Sequence, residues 1–164
     1  MASILKNLSD FSHTTIPSAA SHNFGIIVAS WNLDVTSNLY KGAYYALLKH
    51  GTLEENILSL EVAGSFELIS AADILLSKKD IDAVICLGCV IQGETKHFDF
   101  ICNAVANGLA NVGLKYTKPV IFGVLTTDNL QQALDRAGGK HGNKGEEAAI
   151  TAIKMACLTD GLLI

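Results

Sequence analysis

The sequence predicts an α/β fold: a three-layer sandwich whose four-stranded parallel sheet, in flavodoxin-like order, carries helices on both faces. Short continuous apolar runs recur along the chain from Phe24 onward, and strands covered on both faces read this way rather than as apolar–polar alternation. Between successive runs lie segments of helical periodicity, which supply the crossover that each parallel pair requires. A chain of 164 residues without an internal repeat suits one domain. The expected division is an N-terminal arm over 1–22, a single domain over 23–158 and a tail over 159–164.

The elements follow in order. Phe24–Ser30 is a buried strand. Ser37 is expected to cap the next helix, with Leu39, Ala43, Ala46 and Leu47 inward. His50-Gly51 ends it, glycine taking the left-handed position. Ile57–Val62 is the second strand and Ala63-Gly64 a turn; Ser65–Ser77 is a helix with Leu68, Ala72, Leu75 and Leu76 inward. Ile81–Leu87 is the third strand. The polar stretch Gln92–Lys96 leads to a helix from Phe98 to Val112, burying Ile101, Val105, Gly108 and Val112. Pro119–Leu125 is the fourth strand, with proline only at its first position, where it is tolerated. Thr127 or Asp128 is expected to cap a helix to Ala137, and Gly138–Gly142 to be a flexible loop. Asn143 caps the last helix, whose stripe of Ala148, Ala152 and Ala156 permits close packing.

Composition narrows the function classes. The chain is 49% hydrophobic and 17% charged, with mean hydropathy +0.33, too little charge to cover a monomer of this size. Some surface is therefore expected to be buried against copies of the chain. A net charge of −4 without a basic stripe argues against nucleic acid. The first twenty residues lack the apolar core of a secretory signal, and no window has the roughly 18 apolar residues of a membrane span. A cytoplasmic protein is expected. Cys86 and Cys89 form a lone C-x-x-C at the end of a strand-like run, where an odd offset sends the thiols to opposite faces. With no second pair they are read as structural thiols, and no metal is expected. Arg136 is the only arginine, so one side chain alone offers a rigid fork for an oxyanion.

In an open parallel sheet, ligands bind at the carboxyl ends of the strands. Those ends are Trp31–Val35, Val62–Phe66, Gly88–His97 and Gly123–Asp128. No G-x-G-x-x-G follows the first strand, Gly139-Lys140 lacks the Ser/Thr of a P-loop, and no Ser sits in G-x-S-x-G. On the residues alone, Trp31 is either core packing or a stacking platform for a flat heterocycle. His97 is either a surface histidine at a helix start or a proton relay, and Glu67 is either dipole compensation or a ligand contact.

Five segments together resemble the lumazine synthase family of riboflavin biosynthesis. They are Ser30-Trp31-Asn32, Val62–Leu68, Gly88–Ile101, Pro119–Asn129 and Arg136–Ala149, in order over Phe24–Leu158. The resemblance implies an enzyme, a transferase. It would condense 5-amino-6-(D-ribitylamino)uracil with 3,4-dihydroxy-2-butanone 4-phosphate to 6,7-dimethyl-8-ribityllumazine, without cofactor. It implies that the pyrimidine stacks on Trp31 and is read by backbone of Cys89, Val90 and Ile91. Phe122 and Lys144 are then supplied by a neighbouring subunit, and Ser65, Phe66 and Glu67 meet the ribityl chain. Gly93, Glu94, Thr95 and a neighbour's Arg136 hold phosphate, and His97 moves protons. Two positions depart from the family: Ala63 stands where Pro is common, and Gln92 where Arg is common.

The resemblance also implies pentamers, decamers or icosahedral shells with active sites between subunits, with riboflavin synthase a candidate partner inside a shell. The short Gly138–Asn143 loop favours the 60-subunit shell, while Pro17 in the arm pulls the other way. The rival readings are a homologue that binds flavin or lumazine without catalysis, a mainly structural shell, and an unrelated sugar-phosphate enzyme.

Overall fold

The computed structural model describes residues 9–11 and 15–162. Its sheet is built from β1 (Phe24–Ala29), β2 (Ile57–Val62), β3 (Ala83–Ile91) and β4 (Val120–Thr127), in the order β2-β1-β3-β4, all parallel. This is the predicted flavodoxin-like order. The crossovers are α1 (Leu33–Lys49), α2 (Leu68–Lys78) and α3 (His97–Tyr116). After β4 come α4 (Leu130–Asp135), a small hairpin of β5 (Ala137–Gly139) and β6 (Gly142–Asn143), and α5 (Lys144–Leu162).

Strand alternation divides the core into two. Ile26, Ile85, Leu87 and Cys89 face a cluster that includes Leu39 and Leu47 of α1 and Ala148, Ala152 and Ile153 of α5. Ile27, Val84 and Cys86 face the opposite cluster, with Leu68 and Leu75 of α2 and Val105, Leu109 and Val112 of α3. Cys86 and Cys89 thus lie on opposite faces, as their odd spacing requires. Ala148, Ala152 and Ala156 are all buried, which brings α5 close to α1. Asn143 caps α5 as predicted: its Oδ1 accepts the amides of Gly145 at 2.8 Å and Glu146 at 3.3 Å.

Several boundaries differ from the sequence reading. Ser37 lies inside α1 and caps nothing; the helix starts from Asn32, held in the left-handed conformation at φ 62°, ψ 50°. Residues 65–67 form turn, so α2 starts at Leu68. β3 runs four residues past Leu87, because β4 continues beside it to the pair Ile91 and Thr127. The cap of α4 is neither Thr127 nor Asp128 but Asn129, whose side chain accepts the Gln132 amide at 3.0 Å. The expected loop Gly138–Gly142 is largely the β5–β6 hairpin, with left-handed glycines at 138 and 142.

Part of the predicted arm packs on its own chain. Ala19 is buried and donates to the His50 carbonyl at 2.8 Å, and the buried His22 meets Asp160 at 2.9 Å. Residues 1–8 and 12–14 of the arm, and 163–164 of the tail, lie outside the described residues; Thr159–Leu162 continue α5. No helix among the described residues is long and apolar enough to cross a membrane.

At Gly145 α5 lies so near α1 that an added methyl would run into the Leu39 carbonyl. Backbone on that side cannot yield as a side chain would. Gly145→Ala is expected to cost about 1–3 kcal/mol in chemical denaturation; unchanged stability would mean that the helices separate freely.

Candidate active site

The carboxyl ends of β1, β2 and β3 and the start of α3 surround a cleft of about 680 Å³. The turn after β1 contributes Trp31 and Asn32, and the turn after β2 contributes Gly64, Ser65, Phe66 and Glu67. The end of β3 and its loop contribute Cys89, Val90, Ile91, Gly93 and Thr95, and α3 contributes His97, Phe98 and Ile101. Trp31 is 72% exposed and Phe66 52%, so neither ring belongs to the core. Two large exposed aromatics on the walls of a concave site suit a flat organic ligand.

Local structure explains this gathering. β1 ends at Ala29, yet the chain stays tied to β2: Ser30 and Trp31 donate to the carbonyls of Val62 at 2.8 Å and Ala63 at 3.1 Å. The left-handed Asn32 then reverses the path into α1 and leaves Trp31 outside. Ser65 nestles against Gly88, where a methyl would come within 2.5 Å of its hydroxyl oxygen. Glycine at 88 therefore makes room for a polar group beside the strand. The His97 amide donates to Thr95 Oγ1 at 3.4 Å, which ties the loop to the head of α3.

Four predicted site residues are not in this cleft: Glu94, Phe122, Arg136 and Lys144. Phe122 lies on β4 and packs against the core beneath α2 and α3. Arg136 and Lys144 flank the β5–β6 hairpin. Both Arg136 terminal nitrogens bond Glu147, at 2.7 and 2.9 Å, and one also donates to the His141 carbonyl at 2.6 Å. Lys144 Nζ lies 3.7 Å from the same carboxylate. Two cations share one carboxylate, and the fork is oriented before any anion arrives.

The sequence assigned no role to Asn32, Gly64, Phe98 or Ile101, which also line the cleft, nor to Glu147, the partner of Arg136. Asparagine is enriched in left-handed backbone, so Asn32 carried a signal immediately after a strand. Glu147 carried none, because the hairpin that returns it to Arg136 was read as a loop.

Fold and cleft together define a flavodoxin-like α/β protein with an aromatic-walled small-molecule site at the carboxyl edge of its sheet. The chain belongs to the 6,7-dimethyl-8-ribityllumazine synthase family, whose model matches residues 21–160. It is 62% identical to the 6,7-dimethyl-8-ribityllumazine synthase of Cytophaga hutchinsonii over 159 residues, 97% of this chain and 99% of the relative. The protein of that name in Parabacteroides distasonis is 51% identical over 94% of this chain and 97% of its own length. That in Flavobacterium johnsoniae is 52% identical over 95% of this chain and 82% of its own.

The cysteines offer a check on the site's surroundings. Burial pushes the Cys86 thiol up to about 12 and that of Cys89 to about 11. At pH 8 both are protonated, and the thiolate is the reactive form. Alkylation of the folded protein, mapped by mass spectrometry, should spare both, with labelling only at the less buried Cys102 and Cys157. Rapid labelling of Cys89 would place water on the wrong side of β3.

Proposed function

We propose that the chain condenses 5-amino-6-(D-ribitylamino)uracil with 3,4-dihydroxy-2-butanone 4-phosphate to 6,7-dimethyl-8-ribityllumazine, releasing phosphate and water, in the cytoplasm. The observation that carries this reading is the cleft, where Trp31, the Ser65–Glu67 turn, the end of β3 and His97 line one space. Family membership supplies the reaction.

The pyrimidine lies on Trp31, its polar edge toward the Cys89–Ile91 backbone. The ribityl chain runs along Ser65, Phe66 and Glu67, whose carboxylate accepts bonds from two hydroxyls. The sugar phosphate sits at Gly93-Glu94-Thr95, at the positive end of α3. The pyrimidine's primary amine attacks the ketone to form an imine; phosphate is eliminated and the ring closes, with loss of water. No side-chain nucleophile is needed, so most of the work is holding two substrates in register. His97 transfers protons. Gln92 leaves the phosphate loop one charge short of the common family arrangement, and Lys96 is placed to offset it in part.

Arg136, Lys144 and Phe122 come from a neighbouring subunit. Their absence from the cleft of their own chain supports this. So do the low charge of the chain and its exposed large apolar residues, among them Phe100 at 72% and Leu114 at 78%. The assembly is a pentamer, built into a 60-subunit shell that has room for riboflavin synthase. Light scattering checks this: a species of pentamer mass alone rules out the shell.

The direct test mixes the protein with both substrates and follows the lumazine's absorbance against a no-protein control. Acceleration that saturates in both substrates is expected. Tight pyrimidine binding without acceleration would mark a carrier. His97→Ala should lower kcat by about 10²–10⁴-fold with substrate affinities little changed. Arg136→Ala should raise the KM for the sugar phosphate by about 10–100-fold and leave pyrimidine binding intact. Equal loss for both substrates would remove Arg136 from the phosphate.

A further inference from the structure

β3 outruns β1. The last β1–β3 pair is Val28 with Leu87, whereas β3 continues along β4 to Ile91. The amides of Val84 and Gln92, at either end of β3, both donate toward the β4 side, to the carbonyls of Pro119 and Thr127. Backbone groups of alternate residues point to the same edge of a strand, so those of Cys89 and Ile91 point the other way, to where β1 has ended. Asn32 stands in that gap: its Nδ2 donates to the Cys89 carbonyl at 2.9 Å. The same residue takes the left-handed conformation that leaves Trp31 exposed beside the cleft. Such a conformation in a residue other than glycine costs free energy unless its surroundings hold it.

We propose that Asn32 is a positioning residue for the pyrimidine. Its side chain takes the place of the missing β1 partner, occupies the Cys89 carbonyl, and so sets the spacing between the Trp31 face and the open edge at Ile91. Its backbone turns the indole into the cleft. A flat ring with a polar rim is then gripped by two surfaces whose separation one residue fixes. This rests on the proposed function, since it presumes that the pyrimidine lies on Trp31.

Trp31 is the only tryptophan in the chain, so intrinsic fluorescence reports on this contact directly. The full-length protein and the variants Asn32→Gly, Asn32→Ala and Asn32→Asp are titrated with 6,7-dimethyl-8-ribityllumazine, and KM is measured for each substrate. Glycine keeps the left-handed turn and loses the amide. Aspartate keeps shape and some left-handed tolerance but loses the donor. Alanine loses both features. In wild type, tryptophan quenching should saturate. The Gly and Asp variants should bind the lumazine about tenfold more weakly, and Ala more weakly still. The KM for the pyrimidine should rise in step, while that for the sugar phosphate stays within about twofold. Wild-type affinity in any folded variant overturns the role of Asn32 and leaves the functional reading standing. So does an equal rise in both KM values, which marks a purely structural residue. Failure of wild type itself to quench or turn over overturns both.

Discussion

A parallel strand that outruns its neighbour leaves backbone groups without a partner, and the carboxyl edge of this sheet is organised around that fact. β1 stops pairing with β3 at Val28, while β3 and β4 continue together to Ile91 and Thr127. Buried N–H and C=O groups must find partners. At this edge Asn32 supplies one, and the remainder line a cleft that a polar-rimmed ligand can fill. The crossover geometry of a parallel sheet, in which every strand ends at the same edge, brings three turns and the head of α3 to that cleft.

The second feature is distance from that cleft. Arg136 and Lys144 are organised around Glu147 by the β5–β6 hairpin, on a part of the chain that does not line the cleft. Ser9 of the arm reaches the same cluster, 3.2 Å from Glu147 Oε1, and its hydroxyl accepts the Asn143 amide at 2.7 Å. An oriented guanidinium in one place and an aromatic cleft in another make chemical sense if copies of the chain bring them together. The sparse surface charge fits the same arrangement.

Much of the fold was legible in the sequence because apolar periodicity decides which face of each element is buried. Leu39, Ala43 and Leu47 on α1, Leu68 and Ala72 on α2, and the alanine stripe of α5 are all buried as their spacing requires. The misses lie where local conformation, not periodicity, decides. Ser37 looked like a cap by residue type, but a left-handed Asn32 starts the helix five residues earlier in the chain. β3 read as ending at Leu87 because Gly88 interrupts the apolar run, although that glycine makes room for Ser65. Of the site, the residues at the ends of β1, β2 and β3 were recoverable and line one cleft, whereas the end of β4, Gly123–Asp128, does not line it. The pairing of Arg136 with Glu147 depends on a hairpin whose glycines resemble loop.

In the proposed assembly the cleft of one copy is completed by Arg136 of another. Co-expression of His97→Ala with Arg136→Ala subunits tests it most directly. With the sugar phosphate held well below its wild-type KM, each variant alone is impaired, but random mixing creates sites with His97 from one subunit and Arg136 from its neighbour. Such sites should restore about a quarter of wild-type activity in a ring of equal mixture. Mixed assemblies no more active than the average of the two variants would contradict the account and put Arg136 and His97 to work within a single chain.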